Sequence, residues 1–154
     1  MPEKFWEDFS VGDKVSSMGI TVTEAHVVTW AGLTMDYYPL HMDKEYAAKT
    51  QFKERIVHGP LTFALAVGLM GTTGYAKDSV SAWLGVNDMR IPAPVKIGDT
   101  IRLHAEITEM RETKNPNQGL TVMRYEVVNQ REETVMTFDM KFLMHRRQRG
   151  QARV

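Results

Sequence analysis

The run LTFALAVGLM, residues 61–70, is apolar on nearly every face of a helix and follows directly on VHGP. Such a helix has to be enclosed, either by lipid or by the rest of its own protein. From Ile56 to Ala76 only His58 can carry charge. The strongly apolar part, however, is only about half of the roughly 20 residues needed to cross a bilayer. Its flanks, with His58, Gly59 and Pro60 before it and MGTTGY after it, are also wrong for lipid. A helix from about 60 to 72, buried inside a soluble protein, is the expectation.

The material to enclose it comes after Gly74. SVSAWLGVNDMRI (79–91), TIRLHAEITEMRET (100–113), LTVMRYEVVNQ (120–130) and TVMTFDMKFLMHR (134–146) are four long strand candidates. In the last, Val135, Thr137, Asp139 and Lys141 oppose Met136, Phe138, Met140 and Phe142, the two-residue period of a strand. The polar breaks NPNQG (115–119) and QREE (130–133) suit antiparallel hairpins. The implied fold is α+β: one long antiparallel sheet packed around one central apolar helix. An open sheet leaves an edge strand, which pairing between two subunits would cover.

The first half is shorter-ranged. VGDKVSSMGITV reads as a turn and a strand, and VGD at 11–13 recurs as IGD at 97–99, repeated turn chemistry rather than a repeated domain. Thr23 reads as an N-cap for EAHVVTWAGL, with Val27, Val28, Trp30, Ala31 and Leu33 taken as one apolar side and Gly32 weakening the end. Residues 34–42 read as a non-helical loop, because Pro39 disfavours helix at Tyr38. Asp43 then caps KEYAAKT. Residues 1–146 form one domain, followed by a basic, solvated tail at 147–154.

Composition narrows the function. The 19 basic and 19 acidic residues cancel, which argues against a nucleic-acid binder. With no cysteine, thiolate metal sites and thiol nucleophiles are excluded. MPEKFWEDFS contains no apolar signal core, so a cytoplasmic location and no membrane association are expected.

Chemistry concentrates in TMDYYPLHMD (34–43). Asp36 and His41 are candidate proton-transfer groups on a segment stiffened by Pro39. In VHGPLT, Pro60 suits a first helical turn, and Gly59 can present a bare backbone N–H at the positive helix end. A developing oxyanion could be held there. Asp36, His41, Asp43 and His58 could also be imagined around a metal, but their spacing matches no helix-face ligand pattern, and no metal is expected. His26, His104 and His145 read as structural, His58 as a packing neighbour of the site. The methionines read as flexible core filler, and Arg90, Lys96 and Arg102 as possible anchors for phosphate.

The stretch WAGLTMDYYPLHMDKEYAAKTQFKERIVHGPLTFALAVGLM resembles the signature of the MaoC-like, or R-specific, enoyl-CoA hydratases. Their motif has the form D-x-N-P-x-H, followed after a spacer by H-G at the start of a central helix. FWEDFSVGDKV and MRIPAPVKIGDTI are similar to further segments of that family, so the likeness runs to about residue 145. The resemblance implies a hot dog fold, a homodimer, and an acyl-thioester tunnel at or near the subunit interface. It implies water addition to, or removal from, a trans-2-enoyl-CoA to give the (R)-3-hydroxyacyl-CoA. CoA or an acyl carrier would enter only as part of the substrate, with no cofactor. By position, Asp36 and His41 become the catalytic pair and Gly59 the donor to the thioester oxygen. Two departures stand out: Tyr38 occupies the motif's Asn position, and Val67 falls where some relatives carry a serine. Both are expected to shape the pocket, beside His58. A non-catalytic acyl-thioester binding or partner subunit, and a hot dog thioesterase, are the alternatives.

Overall fold

The structure, a computed structural model, describes residues 4–147. Two short strands, β1 (Lys14–Ser16) and β2 (Ile20–Thr21), precede three helices: α1 (Glu24–Thr34), α2 (Pro39–Met42) and α3 (Lys44–Ala48). The long helix α4 (Gly59–Thr72) follows, and then β3 (Val80–Arg90), β4 (Thr100–Glu112), β5 (Gln118–Val128) and β6 (Thr134–His145). The sheet order is β1-β4-β5-β6-β3, antiparallel throughout, with β2 on the far end of β4. All four long strand expectations hold to within two residues.

The core forms because one face of α4 lies on one face of this sheet. Leu61, Ala66, Leu69 and Met70 of the helix meet Ile101, Leu103, Ala105 and Ile107 of β4, and Met123, Tyr125, Met136, Phe138 and Met140 of β5 and β6. The residues on β4 are two apart, as a strand with one inward face requires. The expectation of a helix covered on all sides needs correcting. Val67, Gly68, Gly71 and Thr72 are exposed, because a single chain supplies one sheet face and α4 has two apolar ones. Among the described residues no helix is long and apolar enough to cross a membrane.

The two Gly-Asp turns are built alike. Asp13 Oδ2 accepts from the Ser10 N–H and Asp99 Oδ2 from the Lys96 N–H, each at 2.9 Å. Gly12 and Gly98 sit at φ 93° and 98°, where only glycine is unstrained. Asp99 is buried, and hydrogen bonds from Gln130, Lys96 and Arg131 hold its carboxyl below its usual range against the opposing effect of burial.

The first helix also departs from expectation. Val27 and Ala31 are buried one turn apart, whereas Val28 and Leu33 are exposed. At about 100° per residue, Leu33 lies some 240° around from Val27, so these apolar residues never formed one side. The C-terminal boundary shifts as well. Arg147, counted with the tail, is docked: its guanidinium bonds Asp8 at 2.6 Å and lies over the Phe5 ring. The remainder of the tail, 148–154, lies outside the described residues.

Candidate active site

The segment 34–43 is where local rules matter most. Helix α1 closes on Met35, whose left-handed backbone (φ 63°) lets its N–H bond Ala31 O. The chain then turns through Asp36, whose Oδ1 accepts from the Tyr38 N–H at 3.3 Å. Tyr38 is extended, as a residue before proline should be. The non-helical expectation fails immediately afterwards: Pro39–Met42 is a single helical turn. Proline forbids helix before itself and favours it after, because its fixed φ suits the first helical position. That turn points His41 back toward Asp36. Asp43 ends it and caps α3 by accepting from the Tyr46 N–H at 3.0 Å.

His41 is held on three sides. Its Nδ1 lies 2.8 Å from the Ile56 carbonyl. A carbonyl only accepts, so Nδ1–H donates and the neutral ring keeps its free lone pair on Nε2. The ring stacks on His58 at 3.9 Å between centroids, and the Tyr38 ring meets it edge-on at 6.0 Å. Burial depresses its pKa, and the neighbouring His58 adds to this. The Ile56 hydrogen bond and the Asp36 charge oppose it, and the net direction is downward. A neutral imidazole able to accept a proton is the result.

One nitrogen or oxygen each of Asp36, His41 and His58 lies within 4.8 Å of the others. A single water making two bonds of about 2.8 Å at a tetrahedral angle spans about 4.6 Å, so one water fits between two such groups. The same three residues suit a metal poorly. Stacked imidazoles carry their in-plane lone pairs side by side rather than toward one point. Asp43, the fourth residue considered for a metal, caps α3 and is not part of this cluster.

Gly59 follows His58 directly and opens α4, so its N–H has no acceptor within the helix. Its φ is not positive, and an added Cβ would meet only the end of the Ile91 side chain, at 3.0 Å. Backbone strain therefore does not demand glycine here. The bare amide beside Asp36 and His41 is available for chemistry.

Other candidates are placed differently. Val67 lies eight residues along α4 from Gly59, about 12 Å at the helical rise. It lines a separate cavity of about 230 Å³ with Met70, Met123, Tyr125, Met140 and Phe142. Tyr38 stays half exposed, its hydroxyl 3.4 Å from that of Tyr46. Lys96 pairs with Glu54 and Arg102 with Glu132. Arg90 adjoins Ile91, the residue that touches Gly59. His26 accepts from the Thr23 N–H at the start of α1, and His104 bonds Ser16. Ile56, Ile91 and Tyr46 were not foreseen. Ile56 acts through its carbonyl, which carries no residue-type signal, and Tyr46 and Ile91 arrive from outside the motif.

Comparison with known proteins bears on the family and the fold. The profile of the MaoC like domain matches residues 8–129. The chain is 39% identical over 100 residues to Protein MaoC of Klebsiella aerogenes, covering 65% of this chain but only 29% of that one. It is 33% identical over 105 residues to an (R)-specific enoyl-CoA hydratase of Rhodospirillum rubrum, covering 68% and 69% of the two chains. Among solved structures, the (R)-hydratase of A. caviae superposes with a TM-score of 0.74 at 29% identity, over 88% of this chain and 97% of that one. A double hotdog protein of Mycobacterium tuberculosis shares the fold alone, at TM-score 0.84 and 19% identity, over 97% of this chain and 46% of that one. With a hot dog fold and a profile match over residues 8–129, this chain belongs to the MaoC-like family.

Proposed function

We propose that this protein adds water across the trans-2 double bond of an enoyl thioester, or removes it in reverse. The substrate is an enoyl-CoA and the product the (R)-3-hydroxyacyl-CoA. The observation that carries the reading is the clustering of Asp36 and His41 with His58, the residue that immediately precedes Gly59 at the start of α4. The hydratase and dehydratase names among the relatives support it.

Each residue then has a defined task. Water is a poor nucleophile until a base takes one of its protons, and in this reading Asp36 and His41 hold one water between them. Its oxygen bonds C3, the electron pair of the double bond moves toward C2, and negative charge collects on the thioester oxygen. The Gly59 amide, at the positive end of α4, stabilises that charge by donating a hydrogen bond. Collapse of the enolate takes up at C2 the proton that the pair removed from water, so both groups return to their starting state. Both elements of water come from one place, so addition occurs on one face. Two coupled groups share their titration, so the pair acts as a unit.

The active unit is a homodimer joined through the edge strand β3. Trp83, Leu84 and Met89 are exposed on that strand with Ile91 beyond it, and Val67 is exposed on α4. A long apolar edge needs a partner. Sedimentation at micromolar concentration should show a dimer, and a monomer would remove this part of the proposal. The activity is tested by incubating the protein with trans-2-enoyl-CoAs of increasing length and following loss of the conjugated thioester absorbance. Formation of the (R)-3-hydroxyacyl-CoA is expected, and thioester hydrolysis or no turnover on any chain length would overturn the reading.

A further inference from the structure

We propose that His58 is a positioning residue for the Asp36–His41 pair, tying the acid's backbone to the start of α4 with one ring nitrogen and bracing the face of the imidazole. This rests on reading that pair as the proton-transfer groups.

His58 is fully buried, yet it is a polar ring with two nitrogens to satisfy. Its Nε2 lies 3.0 Å from the Asp36 carbonyl, so Nε2–H donates. In the neutral ring Nδ1 then carries a bare lone pair, and this atom is buried without a hydrogen-bond partner among the described residues. A residue present only to fill space would be apolar here, since a buried unpartnered nitrogen is costly. One well-directed donor therefore accounts for the choice of histidine, and the flat ring accounts for the rest.

The placement explains why these two features matter together. His58 is the N-cap of α4 and immediately precedes Gly59. Its bond to Asp36 thus fixes the carboxylate segment to the same helix end that presents the amide. Its face lies on His41 at 3.9 Å and 30°, while the Ile56 carbonyl fixes the edge of that ring. The direction of the His41 Nε2 lone pair is then determined from two sides. The groups that face His41 are Asp36 and Tyr38 from its own segment, His58 from the start of α4 and the Ile56 carbonyl. Tyr46 of α3 acts only through Tyr38. Asp36 is the charge among them, and it raises the His41 pKa.

Two substitutions separate the ring from the donor. His58→Phe keeps a flat face and loses the donor. His58→Gln keeps an amide donor near the same place and loses the stacked, titratable ring. Positioning predicts that His58→Phe lowers kcat by about 100-fold with KM within about twofold, as for a displacement of order 1 Å at a reacting centre. His58→Gln should regain at least tenfold of that loss. A packing role alone predicts the reverse, with His58→Phe near wild type, and that result would overturn the proposal. Imidazole ¹⁵N spectra give a readout independent of turnover. They should show Nδ1–H for His41 and Nε2–H for His58. An Nδ1-protonated neutral His58 would also overturn it. If the spectra come out as expected but the wild-type protein turns over no enoyl-CoA, the hydratase reading falls while the bracing of the pair stands.

Discussion

Replacing Gly59 by alanine separates two reasons for a glycine at the head of α4. An added Cβ meets only Ile91 Cδ1, at 3.0 Å, the free end of a half-exposed side chain. Moving that methyl by a few tenths of an ångström forfeits a few contacts of about 0.1–0.2 kcal/mol each. Alanine in turn is favoured over glycine in a helix by roughly 0.5–1 kcal/mol, less at the first position. The two nearly cancel, so stability should change by less than about 1 kcal/mol, or about 2–4 °C in Tm for a chain of this size. Activity should behave otherwise. Loss of one oxyanion donor costs about 10²–10³ in kcat. A methyl beside the donor hinders it without removing it, so a fall of about 10- to 100-fold in kcat is expected, about 1.4–2.7 kcal/mol of transition-state stabilisation. Thermal denaturation and enoyl-CoA hydration on the same preparation test both halves. Full activity in Gly59→Ala would refute the role of this amide, and a Tm loss well beyond 4 °C would mean that packing requires the glycine.

Three further outcomes follow from the same geometry. Gly119→Ala drives a Cβ into the Trp6 ring, which also bonds the Leu120 carbonyl and lies under Arg146; about 1–3 kcal/mol of overpacking strain should appear in denaturant unfolding, with a shift in tryptophan fluorescence. Because burial lowers the His41 pKa in the folded state, the unfolded chain binds more protons as pH falls through about 6.5. His41's contribution to stability is therefore complete above that value and is lost below it, and kcat/KM should fall on the acid side below 6.5. Tyr38→Asn removes a half-exposed ring from the edge of His41 and should change the ratios of kcat/KM across enoyl-CoA chain lengths, whereas equal changes on every substrate would assign Tyr38 to loop support alone.

What could be read from the sequence, and what could not, divides along physical lines. The last two long strands were readable because a two-residue apolar period sustained along a segment fits an extended chain and no helix. The segment VGDKVSSMGITV became two short strands, β1 and β2, because neither half is long enough to dominate its pairing with β4. The turn at Pro39–Met42 was missed because the rule applied to proline describes the residue before it. The enclosure of α4 was overestimated because a hydrophobic pattern says that a face needs cover and not which chain supplies it. At the site, Asp36, His41 and Gly59 could be named because chemistry selects their residue types. The carbonyls of Ile56 and Asp36, which orient both histidines, leave no mark in the sequence because every residue has one. Val67, matched along the chain to the relatives' serine, lies about 12 Å down the helix from Gly59 and lines the cavity beside Met70 and Tyr125.

In the proposed hydration, Asp36 and His41 together move the protons of a water added to an enoyl thioester. Hydration kinetics of Asp36→Asn and His41→Ala on the best wild-type substrate test it most directly, with circular dichroism and Tm measured on the same samples. Each substitution keeps the surrounding backbone and removes one proton-transfer group, so kcat should fall by about 10²-fold or more while both variants remain folded. A folded Asp36→Asn or His41→Ala protein that retains most of the wild-type turnover would contradict the account.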